Sequence, residues 1–514
     1  MSRIFKKLIR HTAIISSGTF VSRILGFVRD ILIALFFGTG FAIESFLVAF
    51  RLPNMLRALL GEGAVDSVVI PVLSEHKDRA SFRETCGRVL TAAFFILCLT
   101  VVLGVIFAKW IVMAAAPGFI SSPDKFNLTV SVTRILFFYL LFVGLSANLG
   151  GILYTKGNFF IPSFSPLILN VVLISGILWI AKQGNESVYW LSYFVLFAGS
   201  LQFLVHFLSS KRYFHLGGEL KRVFSDKAVV KMLKLSLPRI WSVAVYHLSL
   251  FIDTLLASFS FLAGAGAIAA IYYSNRFIQF PLSLFSLSVS RAALPKLSSA
   301  ASDNLMDDFK SVLYLSFENL SFFIIPFSII MTVLPSAFIE ALFKRGAFNS
   351  YSVSITSSAL SFYSLGLFFF AGVRLLMSSF YALKDTKTPA KVAAFALVIN
   401  VVLSLILLKP LKVGGLALAS SLSSLAAFVC LLRILQSKIG GVPFRVWGEI
   451  LKITFAGGVM AGTAKYLWSF SFPFPGYINL GISLTAGAGV FLFISLLLRV
   501  KSLMRVLPWV LRRK

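Results

Sequence analysis

The sequence predicts an all-α polytopic membrane protein with about fourteen transmembrane helices. Hydrophobic residues make up 58% of the 514 residues and charged residues only 13%, which is about half the charged fraction of an ordinary soluble domain. The apolar residues form long runs separated by short charged segments. Because one bilayer crossing takes about 20 apolar residues, the chain could supply about fourteen crossings. The composition therefore excludes a soluble globular protein.

Apolar runs bounded by charges, Pro and Gly predict the position of each span. The first run follows basic residues, as in a signal peptide, but Arg23 and Arg29 interrupt it and no small-residue cleavage site precedes them. We therefore expect a retained first span. The predicted spans are 12–37, 41–72, 86–114, 130–154, 160–182, 187–209, 229–257, 265–296, 310–343, 352–382, 389–408, 413–436, 447–469 and 477–500.

The Lys and Arg residues between the spans predict the orientation, because basic residues are enriched in cytoplasmic loops. An even number of spans places both termini on one side. With the N-terminus inside, the inside segments hold roughly four times as many basic residues as the outside segments. We therefore expect both termini in the cytoplasm. The other basic residues lie within spans: Arg23, Arg29, Arg51, Arg57, Arg134, Arg239, Arg276, Arg291 and Arg374.

An internal repeat predicts two related lobes. The sequence Asn-Val-Val-Leu occurs at Asn170–Leu173 and, 230 residues later, at Asn400–Leu403, and Pro71–Ser74 resembles Pro295–Ser298 at an offset of 224. An offset near 225 residues covers six predicted spans, an even number, so the halves would be parallel repeats related by an axis along the membrane normal. We expect an N-lobe at 1–215 with spans 1–6 and a C-lobe at 216–440 with spans 7–12. The two C-terminal helices, spans 13 and 14, would follow with a basic tail in 441–514.

Charges inside spans are the strongest indication of function, because a charge at mid-bilayer costs about 2.5–3.5 kcal/mol. Spacings of seven residues allow Arg23 to pair with Asp30, and Glu44 with Arg51, on one helix face. Arginine still exceeds acid in the first two spans, and its guanidinium binds phosphate in a bidentate manner. These arginines could instead snorkel to an interface or lock helices together, which is the expectation for Arg134 and Arg239 near span ends.

The chain shows no catalytic motif. HExxH, GxSxG and GxxxxGK[ST] are absent, and the longest hydrophilic stretch is too short for a domain. We therefore expect a transporter and not an enzyme, driven by Na⁺ or the membrane potential, with no cofactor and no nucleic acid partner. Asp253 and Asp385 could supply oxygens for a cation, although a cap or loop role for Asp385 is at least as well supported.

The first two spans carry a recognisable pattern. Ser22–Asp30 reads Ser-Arg-Ile-Leu-Gly-Phe-Val-Arg-Asp, and Phe37-Gly38, Ala49–Asn54 and Glu62-Gly63-Ala64 follow. This pattern resembles the MurJ (MviN) family of lipid II flippases, in the MOP superfamily with MATE-type multidrug and polysaccharide exporters. The resemblance implies alternating-access movement of undecaprenyl-diphosphate-linked peptidoglycan precursor to the outer leaflet of the bacterial inner membrane, for cell-wall synthesis. It also implies lipid II and membrane lipid as partners, and we expect a monomer.

The resemblance also carries the family's cationic cavity onto this chain. The substrate-binding candidates are Ser22, Arg23, Arg29, Glu44, Arg51, Asn54, Arg57, Glu62, Arg276 and Arg374. The family commonly has Asp at the position of Glu44, and an Asp-Arg pair with a Glu one turn on where this chain has Asn275-Arg276 and Gln279. The second lobe should thus be more positive than usual. The alternatives are a cation-coupled MATE-type drug exporter, which would need acids, and another polyprenyl-diphosphate oligosaccharide exporter.

Overall fold

The computed structural model describes residues 3–57, 69–75, 78–183, 187–215, 220–441, 445–470 and 473–505. Within these ranges the regular secondary structure is helical and no strand occurs. The expected all-α class is therefore confirmed. The chain divides into two compact units, Met1–Phe259 and Ser260–Lys514.

The first unit contains helices α1 to α11. Its long helices coincide with predicted spans 1 to 7, and its short helices lie at span ends and in connecting segments. The bounds are α1 Arg3–Phe37, α2 Phe41–Arg57, α3 Ile70–Ser74, α4 Arg79–Ile106, α5 Ala108–Ala115, α6 Pro123–Thr155, α7 Phe160–Phe164, α8 Pro166–Gln183, α9 Val188–Ser210, α10 Leu220–Ser225 and α11 Lys227–Ala257.

The second unit contains helices α12 to α22. Several predicted spans are built from two consecutive helices. The bounds are α12 Ser260–Ala263, α13 Ala267–Pro281, α14 Leu287–Ser302, α15 Met306–Val333, α16 Pro335–Phe343, α17 Ser350–Leu365, α18 Leu367–Ala382, α19 Lys387–Leu411, α20 Val413–Ile439, α21 Arg445–Ser469 and α22 Gly476–Leu497.

Nine helices of the described residues are long and apolar enough to cross a membrane, and the α17–α18 pair, bent by 44°, makes up to ten. The chain is therefore an integral membrane protein. The predicted count of fourteen is not confirmed by this criterion. The predicted spans in α1, α2, α11 and α21 do not belong to these nine helices or to the bent pair. Most of the charged site candidates lie on α1 and α2.

Three helices form the interior of the two units. In α6, α15 and α20, 61% of the most apolar window is buried, against 22–39% in the other single spans. In the first unit α6 packs against α2, α4 and α9. In the second unit α15 packs against α17, α18 and α21. The peripheral helices leave apolar faces exposed, as lipid contact requires.

Helix ends and breaks follow local chemistry. The side chains of Asp78 and Asp226 accept hydrogen bonds from the first amides of α4 and α11, and Asn349 does the same for α17. A π-helical turn, Leu282–Ser286, follows Pro281 and joins α13 to α14, so one predicted span becomes two helical segments.

The predicted lobe boundary at 215/216 differs from the unit boundary at Phe259. The lobe division rests on the sequence repeat and stays a prediction.

Candidate functional site

A buried polar network joins α1 to α8 in the first unit. Arg29, which is only 9% exposed, donates from Nε and Nη2 to Oδ1 of Asp30 at 3.0 and 2.7 Å. Its Nη1 donates to Oδ1 of Asn170 at 3.0 Å. The Asn170 amide in turn donates to the backbone oxygen of Ser22 at 3.0 Å and to its hydroxyl at 3.3 Å. Arg29 and Asn170 thus hold α1 against α8.

Sequence spacing allowed Asp30 to pair with Arg23, which is exposed on α1. The structure shows an ion pair between Asp30 and its neighbour Arg29, and the pairing with Arg23 stays a prediction. Asn170 is a site residue that the sequence analysis missed, although its presence in a repeated apolar word was a usable signal.

Glu44, on α2, forms a buried ion pair with α6. Its Oε2 accepts from Nζ of Lys125 at 2.5 Å, and both side chains are at most one-tenth exposed. The Lys125 ammonium also lies 4.0 Å from the centre of the Phe119 ring. Sequence spacing allowed a Glu44–Arg51 pair on α2, and the structure adds a partner on the neighbouring helix α6 that spacing along α2 alone does not show.

Arg51 and Arg57 are half-buried on the same helix as Glu44. Arg51 donates from Nη1 to the backbone oxygen of Leu250 on α11 at 3.1 Å and interacts electrostatically with buried Asp253. Arg57 donates from Nε to Oδ1 of Asn54, one turn back, at 2.9 Å. Arg57 is the last residue of α2, and residues 58–68 follow it. Glu62 and the side chain of Arg239 lie outside the described residues.

The second unit carries two candidate arginines, each half-buried. Arg276 on α13 donates from Nη2 to the hydroxyl of Tyr272 at 2.6 Å and lies 4.6 Å from the centre of its ring. Arg374 lies on α18, beyond the 44° bend between α17 and α18. Tyr272 therefore holds the Arg276 guanidinium in one orientation, and the sequence analysis did not single it out.

Asp385 lies in the segment before α19 and acts as a cap. Its oxygens accept from the backbone amide and hydroxyl of Thr388 at 2.9 and 2.7 Å and from Nζ of Lys438 at 2.6 Å. The hydrogen bond from Lys438, with those from Thr388, holds the pKa of Asp385 well below its usual range. No group of three His, Cys, Asp or Glu side chains in the described ranges could hold a metal ion. A cation at Asp253 or Asp385 stays a prediction.

The first two helices of the first unit carry more cations than acids. Asp30 is paired with Arg29, and Glu44 is paired with Lys125. The acids of the first two helices therefore already have cationic partners, and Arg51 and Arg57 add further positive charge. Such a surface favours an anionic ligand, and guanidinium groups suit phosphate best.

Comparisons with known proteins agree on one family. The family described as lipid II flippase MurJ matches residues 33–480. The probable lipid II flippase MurJ of Buchnera aphidicola subsp. Baizongia pistaciae is 33% identical over 86% of each chain. The probable lipid II flippase MurJ of Vibrio cholerae serotype O1 is 31% identical over 96% of each chain.

Solved structures give the same result for the fold. A lipid II flippase MurJ in an inward closed conformation is 27% identical, with a TM-score of 0.80 over 94% of this chain and 98% of that one. An inward-facing MATE family multidrug resistance transporter of the MOP superfamily is 16% identical, with a TM-score of 0.63 over 82% of this chain and 95% of that one. The second likeness concerns the fold alone.

Proposed function

Because the chain belongs to the MurJ lipid II flippase family, we propose that it is itself a lipid II flippase. It would move the undecaprenyl-diphosphate-linked peptidoglycan precursor from the cytoplasmic to the outer leaflet of the bacterial inner membrane. The observation that carries the proposal is the family match over residues 33–480, most of the chain. The chain is then a transporter and not an enzyme, with lipid II as its substrate.

The chemistry of the substrate explains the arginines. Lipid II combines a diphosphate, a large polar head and a long polyprenyl tail, so its carrier needs cations that bind phosphate at membrane depth. We assign this role to Arg51 and Arg57 in the first unit and, as separate candidates, to Arg276 and Arg374 in the second. Arg29 has a different assignment: its bonds to Asp30 and Asn170 make it a positioning residue for α1.

The alternative of a drug exporter for organic cations is disfavoured by the acids. Such a carrier needs carboxylates that face the substrate. Here Asp30 and Glu44 are buried and paired with Arg29 and Lys125. A cationic drug would have to displace a side-chain cation already bound at 2.5–2.7 Å.

Orientation and energy source complete the proposal. The excess of basic residues in alternate loops supports two cytoplasmic termini. In the absence of any nucleotide-binding motif, the proposed driving force is Na⁺ or the membrane potential, and the proposed working form is a monomer.

The direct test uses liposomes that contain only this protein. Fluorescent lipid II is placed in one leaflet and its arrival in the other is followed by quenching, with fluorescent phosphatidylcholine as a parallel substrate. We expect movement of lipid II and none of phosphatidylcholine. Folded, inserted protein that moves neither lipid, or both equally, would contradict the proposal.

A further inference from the structure

A cavity lies at the end of the second unit where α21 is followed by α22. It has a volume of about 450 Å³, within the range of small-molecule sites. Lys344 and Arg345, just after α16, line it together with Trp468 near the end of α21 and Tyr477 in the first turn of α22. This cavity contains none of the residues assigned to lipid II, and its existence does not depend on the proposed function.

The cavity has a positive electrostatic character. Lys344 Nζ donates to Oε1 of Glu340 at 2.9 Å, and both groups are partly exposed. Arg345 donates from Nη2 to the backbone oxygen of Ala341 at 3.2 Å and lies 5.6 Å from the centre of the Tyr477 ring. The lining therefore holds two cations and one carboxylate, and an incoming anion could replace that carboxylate as the partner of Lys344.

The position of the cavity indicates a lipid ligand. Trp and Tyr are enriched where a membrane meets water, and Trp468 and Tyr477 lie at the ends of two consecutive apolar helices. The exposed aromatic side chains of Tyr466, Phe470 and Phe474 surround the same hairpin. From the cavity, α22 continues as one of the long apolar helices, so a headgroup bound here could leave its acyl or prenyl chain along an apolar face.

We propose that this cavity binds the phosphate group of a lipid in the leaflet predicted to be outside. The Arg345 guanidinium and the Lys344 ammonium would each donate charge-assisted hydrogen bonds to phosphate oxygens. Trp468 and Tyr477 would pack against the glycerol or sugar part of the headgroup. The shared chemistry is a lipid phosphate, supplied either by an anionic glycerophospholipid or by a polyprenyl diphosphate.

The test measures lipid binding to the purified full-length protein by native mass spectrometry. The probes are phosphatidylglycerol, phosphatidylcholine and undecaprenyl diphosphate. The last probe is used in an R51A/R57A/R276A/R374A background, so that the proposed transport residues do not obscure a second site. The variants are K344A/R345A and Glu340→Gln. Lys465→Ala is the control for loss of a positive charge elsewhere, because Lys465 is exposed on α21 outside the cavity lining.

We expect K344A/R345A to weaken binding of at least one anionic probe by about tenfold or more. Lys465→Ala should leave that binding unchanged. Glu340→Gln should increase the affinity for the same anionic probe, and a folding defect would not produce such an increase. Loss for phosphatidylglycerol identifies a glycerophospholipid site, and loss for undecaprenyl diphosphate alone identifies a polyprenyl site. Unchanged binding of both in K344A/R345A, or an equal loss in Lys465→Ala, would overturn the proposal.

Discussion

Replacing Arg505 with Ala should weaken the packing of the segment after α22 against α15, within the second unit. Arg505 follows α22 and donates from Nη1 to Oε2 of Glu318 on α15 at 2.7 Å, and the Glu318 side chain is 1% exposed. Removing one partner of a buried pair typically destabilises by about 3–5 kcal/mol, because a charge stays buried without its counter-ion. Here the Glu318 carboxylate would keep its hydrogen bond with the Tyr314 hydroxyl, which lowers the expected loss. The Arg505 side chain is 46% exposed, so water screens the pair and we expect the lower end, about 3 kcal/mol or somewhat less.

The assay is thermal unfolding of the purified protein in detergent. The double variant Glu318→Gln/Arg505→Ala is measured in the same way. The double variant removes both charges, so it should recover much of the stability lost in Arg505→Ala. Lys452→Ala is the matched control, because its partner Glu449 keeps a hydrogen bond from the backbone amide of Lys501 at 3.1 Å. An Arg505→Ala protein that melts like the parent, or a double variant that is equally destabilised, would refute this reasoning.

Three further predictions concern other parts of the chain. Asn170→Ala removes the hydrogen bonds to Arg29 and Ser22 and should lower the free energy of unfolding by roughly 2–4 kcal/mol in denaturant titrations. The folded fraction should also move lipid II more slowly. Unchanged stability would exclude the positioning role. Lys438 lowers the pKa of Asp385 in the folded protein. Their contact should therefore contribute fully to folding stability above about pH 4, and this contribution should be lost as the pH falls below that value. The melting temperature of Asp385→Asn should lack this acid dependence. Cysteines introduced at either terminus should react only from the cytoplasmic side, and outside labelling would contradict the predicted topology.

The helices could be predicted from sequence because their signal is local. An apolar run of about 20 residues indicates a membrane helix whatever its neighbours are. The breaks were less visible: Gly366 separates α17 from α18 with a bend of 44°, and a π-helical turn separates α13 from α14. The bend at Gly366 depends on how neighbouring helices pack, which a single apolar run does not encode, whereas Pro281 marks the second break in the sequence.

The partners of the charged residues could not be predicted. Spacing along a helix can indicate only partners on that same helix. Glu44 instead pairs with Lys125 on α6, and Glu318 pairs with Arg505 beyond α22. Asn170 reaches Arg29 across 141 residues. Such contacts depend on which helices pack together, and the sequence indicates helix packing only through its internal repeat or a family resemblance.

The central claim is that arginines at membrane depth bind the diphosphate of lipid II, and graded substitution tests it most directly. Arg57 and Arg276 would each be changed to Lys and to Ala, with exposed Arg134→Ala on α6 as the control. Lys keeps the charge and loses the bidentate geometry, so lipid II binding should weaken moderately with Lys and by about ten- to a hundredfold with Ala. Arg134→Ala should bind normally. Ala variants that bind and move lipid II like the parent, or that lose activity only in proportion to folded protein, would contradict the account.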